Sequence, residues 1–258
     1  MSMKISLITV CFNGEKTIED TIKSVISQTH ESIEYIIIDG GSRDGTAGIV
    51  SKYEAHVAQF VSEPDQGIYD AMNKGIHLAT GDVIGFINAD DFYADPGVVE
   101  RVARTFEDST IDACYGDLCY VKQDDTDSVV RYWKSSEFKP ELFLRGWCPP
   151  HPTFFARRSV YERFGGFDLD FRIAADMELM LRFLVAHDVP AAYLPHVLVK
   201  MRMGGTTNRS FENIVNQNRE IWRAFKKHGV QPSLLSFLGG KMISRGRQFF
   251  SRPGEAVN

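Results

Sequence analysis

Gly81 to Pro96 reads GDVIGFINADDFYADP, and the first half of that stretch decides the fold. Val83, Ile84, Phe86 and Ile87 form a short apolar run broken only by Gly85. Thr80-Gly81-Asp82 bounds it upstream and acidic residues follow, so it reads as a buried strand ending in Asn88-Ala89-Asp90-Asp91. Two adjacent carboxylates then stand at the carboxyl end of a core strand, where open α/β sheets bind ligands. Hard divalent cations that carry phosphates are held by one or two carboxylates plus the phosphate oxygens. The competing reading is a solvated acidic turn before a helix opened by Asp95-Pro96. That accounts for Asp95 but not for Asp90 and Asp91, and spacing alone leaves both readings standing.

Upstream, the chain alternates strand and helix. Lys4 to Val10 is a β-rich run, broken by Cys11-Phe12-Asn13-Gly14 before a helix in which Ile18, Ile22, Val25 and Ile26 recur at helical spacing. Ile33 to Ile38 is a second buried strand, followed by Asp39 to Thr46 and a helix through about Ala55. Val57 to Val61 is a third strand, and Ile68, Ala71, Met72, Gly75 and Ile76 mark the helix that leads into the opening strand. This alternation predicts βαβ crossovers and a mainly parallel sheet.

Downstream the pattern changes. A helix over Pro96 to Phe106 precedes strand-like Ala113 to Val121 and Val129 to Trp133, which predicts a mixed or antiparallel half. A short helix over Phe138 to Trp147, a loop at Cys148 to Pro152, and helices over Arg158 to Phe164 and Ala175 to His187 come next. Ala191 to Met203 reads as a strand, and Asn213 to Lys227 and Pro232 to Phe250 as terminal helices.

At 258 residues, 43% apolar and 24% charged, the chain has an ordinary globular composition, and a net charge of -5 argues against bulk nucleic-acid binding. Its four cysteines form no CxxC pair and read as reduced thiols of a cytosolic protein. The sequence enters a strand at once, with no signal region, and no run reaches the roughly 20 apolar residues that span a bilayer.

Two strand-end loops carry compact polar groups: Thr9, Asn13 and Gly14 on one, Asp39 to Thr46 on the other. Asp39 directly follows an apolar strand, and the glycines after it let a ligand approach the backbone. Its carboxylate can accept a hydrogen bond from a base imide or a ribose hydroxyl. Asp44 reads instead as a helix N-cap.

SLITVCFNGEKTIEDTIKSVISQ, IIIDGGSRDGT, SEPDQGIYDAMNKGIHLATGDVIGFINADD and AADMELMLRF resemble the successive signatures of the family 2 glycosyltransferases, from about Ile5 to Arg182 and more weakly to Asn208. The resemblance implies the α/β nucleotide-diphospho-sugar transferase fold, GT-A, with a Rossmann-like half over 1–95, an acceptor half over 96–210 and a helical extension over 211–258. No clear linker separates them. It implies an inverting transferase that moves a sugar from a nucleotide-diphosphate donor, UDP-linked, to a glycan or lipid-linked acceptor in cell-surface or extracellular polysaccharide synthesis. The expected cofactor is Mn or Mg.

Carried over residue by residue, the resemblance places Asp39 on the nucleotide base with Thr9 nearby, and Asn88-Ala89-Asp90-Asp91 on the DxD-type motif, with Asp90 and Asp91 as metal ligands. Asn13, Gly41, Ser42, Asp65, Asn88 and Asp90 complete the expected nucleotide site. Asp176 matches the catalytic base of the family's Glu-Asp pair. The chain departs from the pattern at Asn88, where an amide keeps an acceptor oxygen but loses the charge, and at Ala175, in place of the preceding acid. Trp147 and His151 fall on the acceptor side, and Arg202 reads either as a phosphate partner or as a surface residue. Two rivals remain. A sugar-phosphate nucleotidyltransferase would need a glycine-rich basic loop that CFNGEKT does not supply. A non-catalytic relative would fit Asn88 and Ala175, but not Asp39, Asp90, Asp91 and Asp176 together.

The C-terminus forms a separate puzzle. Between Ile221 and Gly254 stand seven Lys and Arg and no acid, interleaved with Leu234, Leu235, Phe237, Leu238, Met242, Ile243, Phe249 and Phe250. The pattern reads either as an interfacial helix on anionic lipid, placing the protein in the cytoplasm at the inner face of the membrane, or as a helix packed on the domain or on a second subunit of a homodimer.

Overall fold

A computed structural model describes residues 3–204 and 211–250. Residues 205–208 of the polar loop after Met203, Arg252, and the side chains at positions 245, 247, 249 and 250 lie outside that description. Among the described residues nine strands, β1 (Ile5–Cys11), β2 (Ile33–Asp39), β3 (Gln59–Ser62), β4 (Val83–Phe86), β5 (Asp91–Tyr93), β6 (Ala113–Val121), β7 (Val129–Trp133), β8 (Phe155–Arg157) and β9 (Ala191–Arg202), form one sheet. The helices are α1 (Ile18–Ile26), α2 (Thr46–Ser51), α3 (Ile68–Leu78), α4 (Val98–Thr105), α5 (Pro140–Leu144), α6 (Arg158–Phe164), α7 (Ala175–Leu181), α8 (Phe211–Lys227) and α9 (Leu234–Phe250).

The strand order is β3-β2-β1-β4-β8-β6-β9-β5, with β7 on β6. β1 lies parallel to β2 and β4, and β2 parallel to β3, as the βαβ pattern predicts. β8 bridges the halves, antiparallel to both β4 and β6. β6 and β9 run parallel while β5 and β7 run antiparallel, so the second half is mixed.

Both faces of the parallel half are covered, which is why its strands are apolar almost throughout. Successive side chains alternate: Ile8, Val10, Ile36 and Ile38 enter a core shared with α3, α6, α7 and α8, and Ile5, Leu7, Tyr35 and Ile37 one shared with α1 and α4. At the amino ends of these strands Glu34 is almost wholly buried, holding Lys4 Nζ at 2.7 Å, Ser6 Oγ at 2.6 Å and the Thr80 N–H at 2.7 Å. Burial pushes its carboxyl up, but these donors outweigh that and hold it down at about 2.

Two elements differ from the sequence reading. Asp91–Tyr93, read as the end of the preceding strand and two unassigned residues, is a strand of its own: Asp91 pairs with Met201 and Tyr93 with Val199, and Thr21 Oγ1 donates to the Asp91 carbonyl at 2.7 Å. Its partner lies far away in sequence, so no local pattern could announce it. The helix expected over Ala175 to His187 becomes a wider π turn at Arg182–Ala186, where the His187 N–H reaches back to the Arg182 carbonyl at 3.1 Å. All four cysteines are free. No helix among the described residues is long and apolar enough to cross a membrane.

Candidate active site

The loops after β1 and β2 are tied to each other. Asp39 ends β2 fully buried, and its Oδ2 accepts the Ser42 N–H (3.0 Å) and the Ser62 hydroxyl (2.6 Å). Its Oδ1 accepts the Ser42 hydroxyl and the Cys11 thiol (3.6 Å). A nucleobase donor therefore reaches Asp39 only by displacing one of these hydroxyls. The Asn13 N–H donates to Ser42 Oγ (2.7 Å), and Asn13 Oδ1 accepts the Arg43 N–H (3.0 Å). Asn13 and Gly41 both take left-handed backbone, with φ of 51° and 80°. Asp44 accepts the Thr46 N–H at 3.0 Å, the turn role expected of it, although Gly45 occupies the cap position itself.

Thr9 does not belong to this group. Its hydroxyl is fully buried 3.0 Å from the Tyr35 hydroxyl, because strand alternation turns it into the core shared with α1 and α4. Two other residues take its place at the surface. Phe12 is 64% exposed, unusual for so large an apolar ring. A Cβ on Gly40 would come within 2.4 Å of Asp65 Oδ2 and 3.4 Å of Phe12 Cδ2, so Phe12 and the half-exposed Asp65 flank one glycine. Asp65 Oδ1 accepts the Gly67 N–H at 2.8 Å. The sequence reading passed over Phe12, though an aromatic in a polar loop between a strand and a helix was a usable signal.

At the end of β4, Asn88 Nδ2 donates to Asp91 Oδ2 at 3.1 Å. Asn88 Oδ1 and Asp91 Oδ1 are buried and have no hydrogen-bond partner among the described residues. Burial raises the Asp90 carboxyl; burial and then the Asp90 charge raise that of Asp91 well above the usual range. The structure thus turns Asp91 fully inward and leaves Asp90 half-buried at the edge. Donor-less oxygens beside a carboxylate are the chemistry a hard divalent cation satisfies, so these residues fit one. Among the described residues no three His, Cys, Asp or Glu side chains converge on one point, so a cation here would draw further ligands from phosphate or water. Arg202 is neither of the two things expected. It is almost buried, donating to the Asp90 carbonyl (3.1 Å) and Asp20 Oδ2 (2.5 Å) over the Phe92 ring, and so it braces the edge from behind.

Asp176 sits half-buried in the first turn of α7, where its Oδ1 accepts the Met177 N–H at 2.8 Å and lies 3.4 Å from the Tyr69 hydroxyl. Tyr69 also donates to the Ile173 carbonyl (3.1 Å) and stacks on Phe167. His151 is buried between Phe86 and Phe167. Burial lowers its basicity, against the opposing pull of the Asp176 charge. Trp147 meets Tyr115 edge-on. Although position 175 is alanine, the start of α7 still has a carboxylate: Glu220 of α8 accepts the N–H groups of Arg172 (3.0 Å), Ile173 (2.8 Å) and Ala174 (2.9 Å). Neither Glu220 nor Tyr69 was legible as a site residue, since each acts on atoms distant in sequence.

The profile of the family described as Glycosyl transferase family 2 matches residues 6–165, well over half of the chain. The chain belongs to glycosyl transferase family 2. A glycosyltransferase of uncharacterised function from Mycobacterium tuberculosis is 38% identical over 180 residues, covering 69% of this chain and 68% of that protein. A PGL/p-HBAD biosynthesis glycosyltransferase of Mycobacterium bovis is 29% identical over 209 residues, covering 79% and 78%. Among solved structures, S. aureus TarS in complex with UDP-GlcNAc superposes with a TM-score of 0.68 at 16% identity, over 98% of this chain and 77% of that one. The mannosyltransferase PcManGT from Pyrobaculum calidifontis, in complex with GDP-Man and Mn2+, gives 0.63 at 19% identity, over 95% and 74%. This family 2 glycosyltransferase has the GT-A fold.

Proposed function

We propose that the protein transfers a sugar from a UDP-linked donor to a hydroxyl of a glycan or lipid-linked acceptor, with inversion, using Asp176 as general base. The observation that carries this reading is the placement of Asp176 between the Met177 N–H of α7 and the hydroxyl of Tyr69, which stands on the helix that follows the Asp65 loop. A carboxylate held there accepts the acceptor's proton as the oxygen attacks the anomeric carbon from the face opposite the leaving diphosphate. The likeness to TarS with UDP-GlcNAc supports a UDP donor.

Phe12 offers a stacking face for the base. Asp65, Asn13, Gly41 and Ser42 surround it, with Asp39 organising the loop. Asp90, with Asn88 and Asp91 behind it, would hold a divalent cation, and such an ion neutralises charge growing on the departing diphosphate. His151 and Trp147 line the acceptor side in this reading. The proposed domain runs over 1–210, with 211–258 as a helical extension.

Asp176→Asn tests the base. It preserves shape, so UDP binding and the melting temperature should hold while kcat falls by about 10² to 10⁴. Wild-type kcat in this variant would remove Asp176 from the chemistry. A thermal-shift screen of UDP and GDP, each with and without Mn, tests the donor: stabilisation by GDP and not UDP would overturn the UDP assignment.

A further inference from the structure

Helix α9 has two unlike faces. One is built into the protein. Phe237 is buried against Trp222 and Phe225 of α8, with ring centroids 5.5 and 5.7 Å away. A Cβ on Gly240 would fall 2.2 Å from the Arg145 carbonyl, so the helix backbone lies directly on the end of α5. Lys241 Nζ donates to Asn218 Oδ1 (2.7 Å), and buried Gln248 accepts from Arg131 Nε of β7 (2.5 Å). Positions 237, 240, 241 and 248 share one side of a helix, and they satisfy the packing needs of α9 on the domain.

The opposite side remains apolar and uncovered. Leu235 is 84% exposed, Met242 76% and Ile243 59%, with Leu234 and Leu238 also exposed. Five of the twelve large hydrophobic side chains most exposed among the described residues thus fall within ten positions of one helix. Such clustering marks an interaction surface rather than scattered surface residues. It lies in a segment of the chain with seven basic residues and no acid, in a protein whose net charge is -5.

We infer that α9 is an interfacial helix that docks the protein on an anionic lipid bilayer, its outer face immersed in the headgroup and acyl boundary and the basic C-terminal segment drawn to the lipid phosphates. An apolar face carried by a basic, acid-free segment matches that surface in both respects. A second copy of the chain matches it poorly, since a two-fold contact through α9 sets like charge against like charge. If the protein is the transferase proposed above, the position of the helix also serves that activity. Gly146, held at φ 70° against Phe237 and Lys241, leads through Trp147 to His151, so docking through α9 brings the acceptor side toward the membrane.

The test is co-sedimentation of the full chain with vesicles of phosphatidylglycerol and phosphatidylcholine, or of phosphatidylcholine alone, at low and high salt. The parent should pellet with the anionic vesicles and be released by salt. Leu235→Glu/Met242→Glu should bind at least tenfold more weakly, with unchanged melting temperature and unchanged hydrolysis of UDP-sugar in solution. Three outcomes would overturn the inference: no binding to anionic vesicles at low salt, equal binding to both compositions, or a charged variant that binds like the parent. A parent that is dimeric by light scattering, ignores vesicles and becomes monomeric in the variant would make this face a contact between copies. Because donor hydrolysis is read separately, failure of docking leaves the transferase reading untouched.

Discussion

Replacing Glu220 with alanine should loosen the start of α7 and, with it, the base. One carboxylate there accepts three backbone N–H groups, from Arg172, Ile173 and Ala174. Helix starts leave such amides without internal partners, and here none of those three residues offers a capping side chain. Arg172 is exposed and its amide can turn to water, whereas Ile173 is half-buried and Ala174 is buried. Two donors left unpaired, one buried and one half-buried, at about 1–3 kcal/mol each and reduced by local relaxation, give an expected loss of about 2–4 kcal/mol. Glu220→Gln keeps one acceptor oxygen but not the charge, and should cost about half as much. Urea denaturation of parent, Gln and Ala variants reads the stability, and steady-state kinetics read the site. The Ala variant should lose kcat through a displaced Asp176 while the KM for donor stays within about twofold. A stability change below about 0.5 kcal/mol, the range of ordinary surface substitutions, together with parental kcat would refute the reasoning.

Asp90→Ala should weaken Mn-dependent binding of UDP at least tenfold and leave uridine binding unchanged by calorimetry; equal loss for both ligands would show that Asp90 does not act at the phosphates. Gly40→Ala places a methyl 2.4 Å from Asp65 Oδ2, so the carboxylate must move. UDP affinity should then fall about tenfold, equivalent to about 1.4 kcal/mol, and unchanged affinity would remove Asp65 from the donor subsite. The Glu34 carboxyl is depressed from 4.5 to about 2 in the folded protein. Its contribution to stability is therefore complete above pH 4.5 and lost as pH falls toward 2. Glu34→Gln should flatten the parent's stability loss over that window, and an unchanged acid profile would show that Glu34 is not the group responsible.

The parallel half of the fold was legible because its evidence is local. Strands such as IEYIIID are apolar on both faces, the helices between them show periodicity, and each strand pairs with neighbours through a short crossover. The second half was only partly legible. β5 exists because Asp91 to Tyr93 finds β9, more than a hundred residues on, and three residues of DFY carry no strand signature of their own. The site divides along the same line. Asp39 and Asp90 could be placed from spacing, since each follows an apolar strand, and Asp65 and Asp176 from the resemblance to the family. What those carboxylates do depends on partners from elsewhere: the Ser42 and Ser62 hydroxyls that occupy Asp39, Asn88 facing buried Asp91, and Glu220 behind Asp176. Thr9 misled because a hydroxyl on a core strand can be satisfied inside, here by Tyr35.

The segment SEPDQGIYDAMNKG joins what the fold would otherwise keep apart. Asp65, Tyr69 and Asn73 recur at intervals of four, and the last two lie one helical turn apart on α3. Asp65 faces the loop after β2, where the nucleotide is proposed to bind. Tyr69 reaches Asp176. Asn73 clamps the backbone of Phe167 through both amide atoms, accepting its N–H and donating to its carbonyl at 2.8 Å each, and Phe167 in turn packs on His151. A shift of α3 would therefore move donor subsite, base and acceptor-side wall together. Asn73→Ala, far from any reacting atom, should thus impair kcat more than a surface substitution of equal cost to stability, because it uncouples the His151 wall from the helix that positions the base.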